Sequence, residues 1–260
     1  MRVLFTSPIL EHPPAGGPRL RIENSIKALS KTCELHLISR GSLPIADFER
    51  TAEFYRPYCR ELRQLPRMEK GAHVNPYIRI AKRIAARLLR LDLGSDADFI
   101  LKHVDRHNID VVWFGYGNIS FPLIRRIKSL RPALKLVCDT DSVWSRFVLR
   151  EIPYAKGPRK LWILKSGRSK QSEERAWVEL CDVTTAVSEV DAEYYRGLTA
   201  RQDRIHLFPN VIDVEYYGTP PASPPGFRRP AIYLAGSFGY FHSPMDTAAR
   251  WVLEKILPRL

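Results

Sequence analysis

No stretch of this chain approaches the roughly 20 consecutive apolar residues that span a bilayer. The amino terminus, MRVLFTSPIL, offers only a five-residue strand-like run before Thr6, Ser7 and Pro8, too short for the apolar region of a signal peptide. A cytoplasmic protein is therefore expected, with a peripheral contact at the inner membrane surface left open. The four cysteines, Cys33, Cys59, Cys138 and Cys181, are scattered without a CxxC pair, which argues against a disulfide framework. The seven histidines form no HExxH and no paired ligand set that spacing reveals, so no metal is expected. A GxSxG elbow, a GxxxxGK[ST] P-loop and a GxGxxG fingerprint are missing as well, so none of these motifs assigns a chemistry. Acidic residues are also in short supply: 28 Asp plus Glu face 41 Lys plus Arg, a net charge of +13. That excess points to an anionic partner such as nucleotide phosphates, an acidic glycan or a membrane surface. Nucleic acid is not expected, because no aromatic-basic motif or DNA-binding helix pair accompanies the charge.

What the chain does have is alternation of strands and helices. Arg2 to Phe5 is a short apolar strand, followed by a Pro- and Gly-rich loop through Gly17. Leu20, Ile22, Ile26 and Leu29 recur at helical spacing over Pro18 to Ser30, and ELHLIS at Glu34 to Ser39 reads as a second strand. Further strands are expected at Asp110 to Phe114, Lys135 to Cys138, Val183 to Val187 and Ile205 to Phe208. Helices are expected at Ser120 to Arg131, Ser169 to Leu180 and Asp191 to Gly197. Such alternation predicts an open parallel sheet of the doubly wound α/β class, whose ligands bind beyond the carboxyl ends of the strands. Five prolines among the twelve residues TPPASPPGFRRP make 219–230 an extended linker. A domain of residues 1–218 precedes it. Residues 231–260 read as the strand, turn and amphipathic helix that open a second α/β domain.

Two loops and one helix attract attention as chemistry. In EHPPAGGPRLR, Gly16 and Gly17 allow close backbone approach to a ligand, and the helix that follows offers free N–H groups to a phosphate or sugar hydroxyl; a plain turn is the alternative. In CDTDSVWSRFVLRE, Asp139 and Asp141 stand where a strand should end in the crevice, placed to orient hydroxyls or handle a proton. The alternative is that Asp141 or Ser142 caps the next helix. Arg146 and Arg150, four apart on that helix, face either an anionic group or solvent. Between Arg56 and Arg90 lie ten Lys or Arg against two acidic residues. There IRIAKRIAARLLRL sets Ile80, Ile84, Leu88 and Leu91 on one stripe, and Arg83 and Arg87 among the basic residues opposite. This helix either lies on an anionic surface or packs its stripe on the domain.

Several segments together resemble a family 4 glycosyltransferase of the GT-B type: the Pro/Gly loop after the first strand, TTAVSEVDAEYYR at Thr184 to Arg196, FPNVIDVEYY at Phe208 to Tyr217, and the final IYLAGSFGYFHSPMDTAARWVLEKILPRL. The family's "PNxxD" segment becomes Pro209, Asn210 and Asp213. Its donor-domain opening becomes Gly236, Ser237, Tyr240, Pro244, Asp246 and Trp251.

The resemblance implies a GT-B Rossmann-like amino-terminal domain and transfer of a sugar from a nucleotide-sugar donor to a hydroxyl of a glycan or lipid-linked acceptor. It implies retention at the anomeric carbon and neither catalytic metal nor cofactor, the nucleotide sugar being a substrate. On the same grounds Gly16, Gly17, Gly236 and Ser237 would approach the donor. Arg19, Arg146, Arg83 and Arg87 are candidates for an acceptor or anion. The family's ExxxxxxxE donor motif finds no counterpart before Leu260, so these 260 residues alone are expected to be an inactive, truncated form. A rival reading is a noncatalytic module that binds a glycan, a membrane surface or a protein partner.

Overall fold

The computed structural model describes residues 1–41, 43–66, 91–210, 212, 214, 218–219, 222, 234–235 and 244–259. It divides into two units, Met1–Asp213 and Val214–Leu260.

The first unit is built on a seven-stranded sheet. Its strands are β1 (Arg2–Ser7), β2 (Glu34–Ser39), β3 (Glu61–Gln64), β4 (Val111–Gly115), β5 (Lys135–Asp139), β6 (Val183–Ala186) and β7 (Ile205–Leu207). The order across the sheet is β3-β2-β1-β4-β5-β6-β7, and every neighbouring pair is parallel. A parallel sheet must be covered on both faces, and β1 and β2 accordingly read as one exposed residue followed by five buried ones. The winding reverses between β1 and β4, which pair through Val3–Val111 to Thr6–Phe114. In such sheets a crevice opens where the winding reverses, beyond the strands' carboxyl ends.

Alternation along the strands sends side chains to two cores. Val3, Phe5, Leu35 and Leu37 pack with Ile22 and Ile26 of helix α1 (Gly17–Ser30) and Tyr55 of α2 (Ile45–Tyr55). Leu4, Ile38, Val112, Phe114 and Leu136 face the other way. There they meet Ala97, Ile100 and Val104 of α3 (Leu91–His107), Leu123, Ile124 and Ile127 of α4 (Phe121–Leu130), and Trp177 and Val178 further along the chain. Short α5 (Trp144–Leu149) leads to the long α6 (Gly157–Leu180), and α7 (Glu189–Arg196) links β6 to β7. Cys138 and Cys181 are free and fully buried in the second core, where they pack as small apolar side chains.

Two expectations need correction. The long helix begins at Gly157 rather than Ser169, with Pro158 in its first turn, where proline is favoured, and Gly167 in its first half against helical propensity. Neither Asp141 nor Ser142 caps α5: the N-cap is Val143, with no side-chain cap bond. Ser188 does cap α7, accepting from the Asp191 N–H.

In the second unit α8 (Pro244–Trp251) opens with Pro244 and continues through a wide turn over Val252–Ile256. The basic segment containing Arg83 and Arg87, and the turn with Gly236 and Ser237, lie outside the described residues. Among the described residues no helix is long and apolar enough to cross a membrane.

Candidate functional site

At the carboxyl end of β5 the chain reads Asp139-Thr140-Asp141, and the two carboxylates take different environments. Asp139 is 1% exposed and pairs with Arg21 from the first turns of α1, Nη2 donating to Oδ1 at 2.7 Å. The same guanidinium donates to the Phe208 carbonyl (2.9 Å) and to Asn210 Oδ1 (3.1 Å), and lies 5.2 Å above the Phe208 ring. Thr185 on β6 donates its hydroxyl to Asp139 Oδ1 at 2.5 Å. Four separate parts of the chain therefore converge on one buried ion pair. Asp139 Oδ2 remains buried with no hydrogen-bond partner among the described residues.

Asp141 is half-buried. It accepts from Asn118 Nδ2 (2.5 Å) and more weakly from Trp144 Nε1 (3.4 Å). Burial raises its carboxyl above the ordinary aspartate value, against the pull of those two donors and of the Arg21 charge. Tyr116 stands beside it in left-handed backbone geometry (φ 58°), its ring meeting Trp144 edge-on at 6.4 Å. Burial and the Asp141 charge both raise the Tyr116 phenol, opposed by nearby Arg19. Asn118 is 2% exposed, and its Oδ1, like Asp139 Oδ2, has no hydrogen-bond partner among the described residues.

The turn after β4 is shaped by backbone contact. A Cβ on Gly117 would lie 2.7 Å from Cys138 Sγ and 3.1 Å from the Asp139 amide nitrogen, so only glycine lets this turn lie flat on the end of β5. That contact presents Tyr116 and Asn118 toward Asp141. The loop before α1 is held equally firmly. His12 bonds Glu23 at 3.0 Å through Nδ1 and stacks on Phe54 at 3.5 Å, while its amide donates to Thr51 Oγ1.

The other candidates distribute unevenly. Gly16, at φ 95°, closes the loop, and Gly17 begins α1; open space surrounds the Cβ position of both. Arg19 is tied to Glu11 and to the Ala15 carbonyl. Arg146 lies further along α5, 4.5 Å from the Tyr194 ring centroid and donating to the Val190 carbonyl. The structure thus gathers Asp139 and Asp141, and adds Arg21, Tyr116, Asn118, Trp144 and Thr185, none of which was singled out from sequence. A readable signal did exist: GYGN directly after DVVWF places two glycines around an aromatic at a strand's end.

No family model and no curated protein matches the chain. Among solved structures it is similar to a UDP-glucosyltransferase from Polygonum tinctorium, at 11% identity and a TM-score of 0.50, covering 86% of this chain and 55% of that one. It is also similar to HepE of Anabaena in complex with UDP and glucose (12% identity, TM-score 0.46, 84% and 46%). A third is the UDP-N-acetylglucosamine 2-epimerase of Rickettsia bellii (10% identity, TM-score 0.45, 81% and 45%). The chain spans about half the length of these proteins. What the likeness to the Polygonum protein shows is the fold: an α/β domain with a parallel sheet, matching the Rossmann-like GT-B architecture.

Proposed function

We propose that the crevice beyond β1, β4 and β5 receives a hydroxyl-bearing sugar acceptor, and that the chain is the acceptor-side part of a glycosyltransferase using a nucleotide-sugar donor. The observation that carries this reading is the pair of buried, partnerless acceptor oxygens, Asp139 Oδ2 and Asn118 Oδ1, beside the half-buried Asp141. Buried acceptors call for donors. A ligand rich in hydroxyls supplies them, and Tyr116 and Trp144 offer ring faces and edges to a sugar. In this reading Asp141 orients or deprotonates the acceptor hydroxyl, its raised carboxyl bringing it nearer to neutral pH than an ordinary aspartate. Asp139 fixes Arg21 through Oδ1 and keeps Oδ2 for the ligand. Gly16 and Gly17 leave room for a donor at the start of α1. We further propose retention at the anomeric carbon, without a catalytic metal.

The acceptor we favour is a glycan or a lipid-linked sugar at a membrane surface. Tyr154, Leu161 and Trp162 are 88%, 70% and 67% exposed, beside the exposed Lys156, Arg159 and Lys160. Apolar and aromatic tips among cations fit an anionic interface. The basic residues Arg83 and Arg87 belong to the same proposal.

The test is saturation-transfer NMR and calorimetry on the 260-residue chain, with a panel of short glycans, lipid-linked sugars, UDP and UDP-sugars. Saturable binding of a sugar that weakens at least about tenfold in Asp141→Ala is the expected result, tenfold being about 1.4 kcal/mol. Binding of no member of the panel, or sugar binding indifferent to Asp141→Ala and Asn118→Ala, contradicts the reading.

A further inference from the structure

On the β2–β3 side of the sheet, away from the crevice, four potential ligands converge. Parallel pairing sets His36 of β2 directly beside Glu61 of β3. His36 precedes Ile38 by two residues and so shares its face, the one packed against α3. The last two turns of α3 carry His103 and His107, four residues apart and hence on one side of the helix. His36 Nδ1 and His103 Nε2 are 3.1 Å apart, as are His107 Nε2 and Glu61 Oε2. One ligand atom from each of the four residues lies within 4.8 Å of all the others.

This is costly as plain core packing. His36 and His103 are 1% and 4% exposed, at positions where their neighbours along the same faces are apolar. One hydrogen bond joins them; among the described residues the buried Nε2 of His36 makes none, and that of His107 meets the Glu61 carboxylate at 3.1 Å without hydrogen-bond geometry. Glu34 Oε1 approaches His36 Nε2 only to 3.5 Å. Arg63 holds the other oxygen of Glu61, Nε to Oε1 at 2.5 Å, which fixes the carboxylate and leaves Oε2 turned to His107.

We propose that His36, Glu61, His103 and His107 bind one divalent transition-metal ion of the zinc type, clamping α3 onto strands β2 and β3. Three imidazole nitrogens and one carboxylate oxygen suit zinc and its neighbours, whereas calcium and magnesium demand oxygen ligands. A tetrahedral zinc with bonds of about 2.0 Å sets its ligand atoms about 3.3 Å apart. The two 3.1 Å pairs already match two edges of that tetrahedron, and small side-chain rotations close the wider ones. Four protein ligands leave no open position, so the ion serves structure. It sits toward the amino ends of the strands, opposite the proposed sugar site, and so extends rather than replaces the expectation of metal-free transfer chemistry. His103 and His107 stand four apart in sequence, a pair not recognised there as ligands because the partners from β2 and β3 become neighbours only through the sheet register.

The test uses the whole chain, stripped of metal by chelator and titrated with Co(II), then Zn(II). One equivalent of Co(II) should develop the visible d–d bands of a four-coordinate site, Zn(II) should displace it, and Zn(II) should raise the thermal midpoint. His107→Gln and Glu61→Gln, at partly exposed positions where folding is readily checked by circular dichroism, should weaken Zn(II) binding by more than about 100-fold. That exceeds the 10–100-fold expected from a residue that merely supports a ligand. His206→Gln should leave binding unchanged. No saturable Co(II) or Zn(II) binding, or binding that persists in folded His107→Gln and Glu61→Gln, overturns the proposal.

Discussion

Removing either member of the Arg21–Asp139 pair should cost far more than removing both. At 2.7 Å the two charges attract by about 6 kcal/mol for an effective dielectric near 20, and each loses several kcal/mol of hydration on burial, so the intact pair is close to neutral in net terms. The singles behave differently. Asp139→Asn leaves a guanidinium that is 5% exposed with only the Phe208 carbonyl and Asn210 Oδ1 as acceptors, alongside a neutral amide. Arg21→Met leaves a carboxylate that is 1% exposed with one hydroxyl, that of Thr185. Breaking a buried pair from one side typically costs about 3–5 kcal/mol. In a domain of this size that is a fall in thermal midpoint of about 6–20 °C. Urea unfolding followed by far-UV circular dichroism on the wild type, both singles and the double variant gives the coupling directly. The double should lose at least about 2 kcal/mol less than the sum of the singles. Additive losses, or singles within about 0.5 kcal/mol of wild type, would refute the view that this pair is the electrostatic anchor of the crevice.

Three further outcomes follow from other parts of the structure. Gly117→Ala should cost about 1–3 kcal/mol, because its methyl would meet Cys138 Sγ at 2.7 Å and the Asp139 backbone; unchanged stability to urea would show that the turn yields freely. Desolvation pushes the Asp182 carboxyl up, but hydrogen bonds from Lys128, the Leu136 amide and Lys135 outweigh it and bring it down to about 2. A depressed carboxyl stabilises the fold above the unfolded value of about 3.9 and loses that contribution as pH falls toward 2. Discounted for solvent screening, the effect is about 1 kcal/mol, so Asp182→Asn should be less stable than wild type at pH 6 and indistinguishable by pH 2; a constant difference would contradict the assignment. Trp162→Ser with Lys160→Glu should reduce co-sedimentation with vesicles rich in anionic lipid, and equal sedimentation of variant and wild type would remove the membrane surface from the proposal.

Of the strands read in advance, RVLF, VVWF and KLVC are nearly all apolar, whereas ELHLIS alternates and the stretches Val183 to Val187 and Ile205 to Phe208 mix apolar with polar residues between turn signals. The edge strand β3, ELRQ, could not be read, since its one apolar residue carries no periodicity and its place depends on pairing with β2. Helix α6 was legible only from Ser169 onward. Its earlier half contains Gly167, which abuts Leu149 so closely that a Cβ would overlap it, a packing need invisible in propensity. The site shows the same division. Asp139 and Asp141 were legible because a polar residue ending an apolar strand must lie at the crevice. That one of them is paired with Arg21 and the other left half-open depends on α1, β6 and residues 208–210 meeting in space, over separations of 46 to 189 residues.

The central claim is that a sugar occupies the crevice beside Asp141, and amide and indole NMR shifts of the labelled chain titrated with the tightest-binding sugar of the panel test it most directly. The account predicts saturable shifts confined to the carboxyl ends of β4 and β5, with Tyr116, Asn118, Asp141 and the Trp144 indole moving together and the His36–His103 region still. Shifts that saturate elsewhere while those four residues stay unmoved would contradict it.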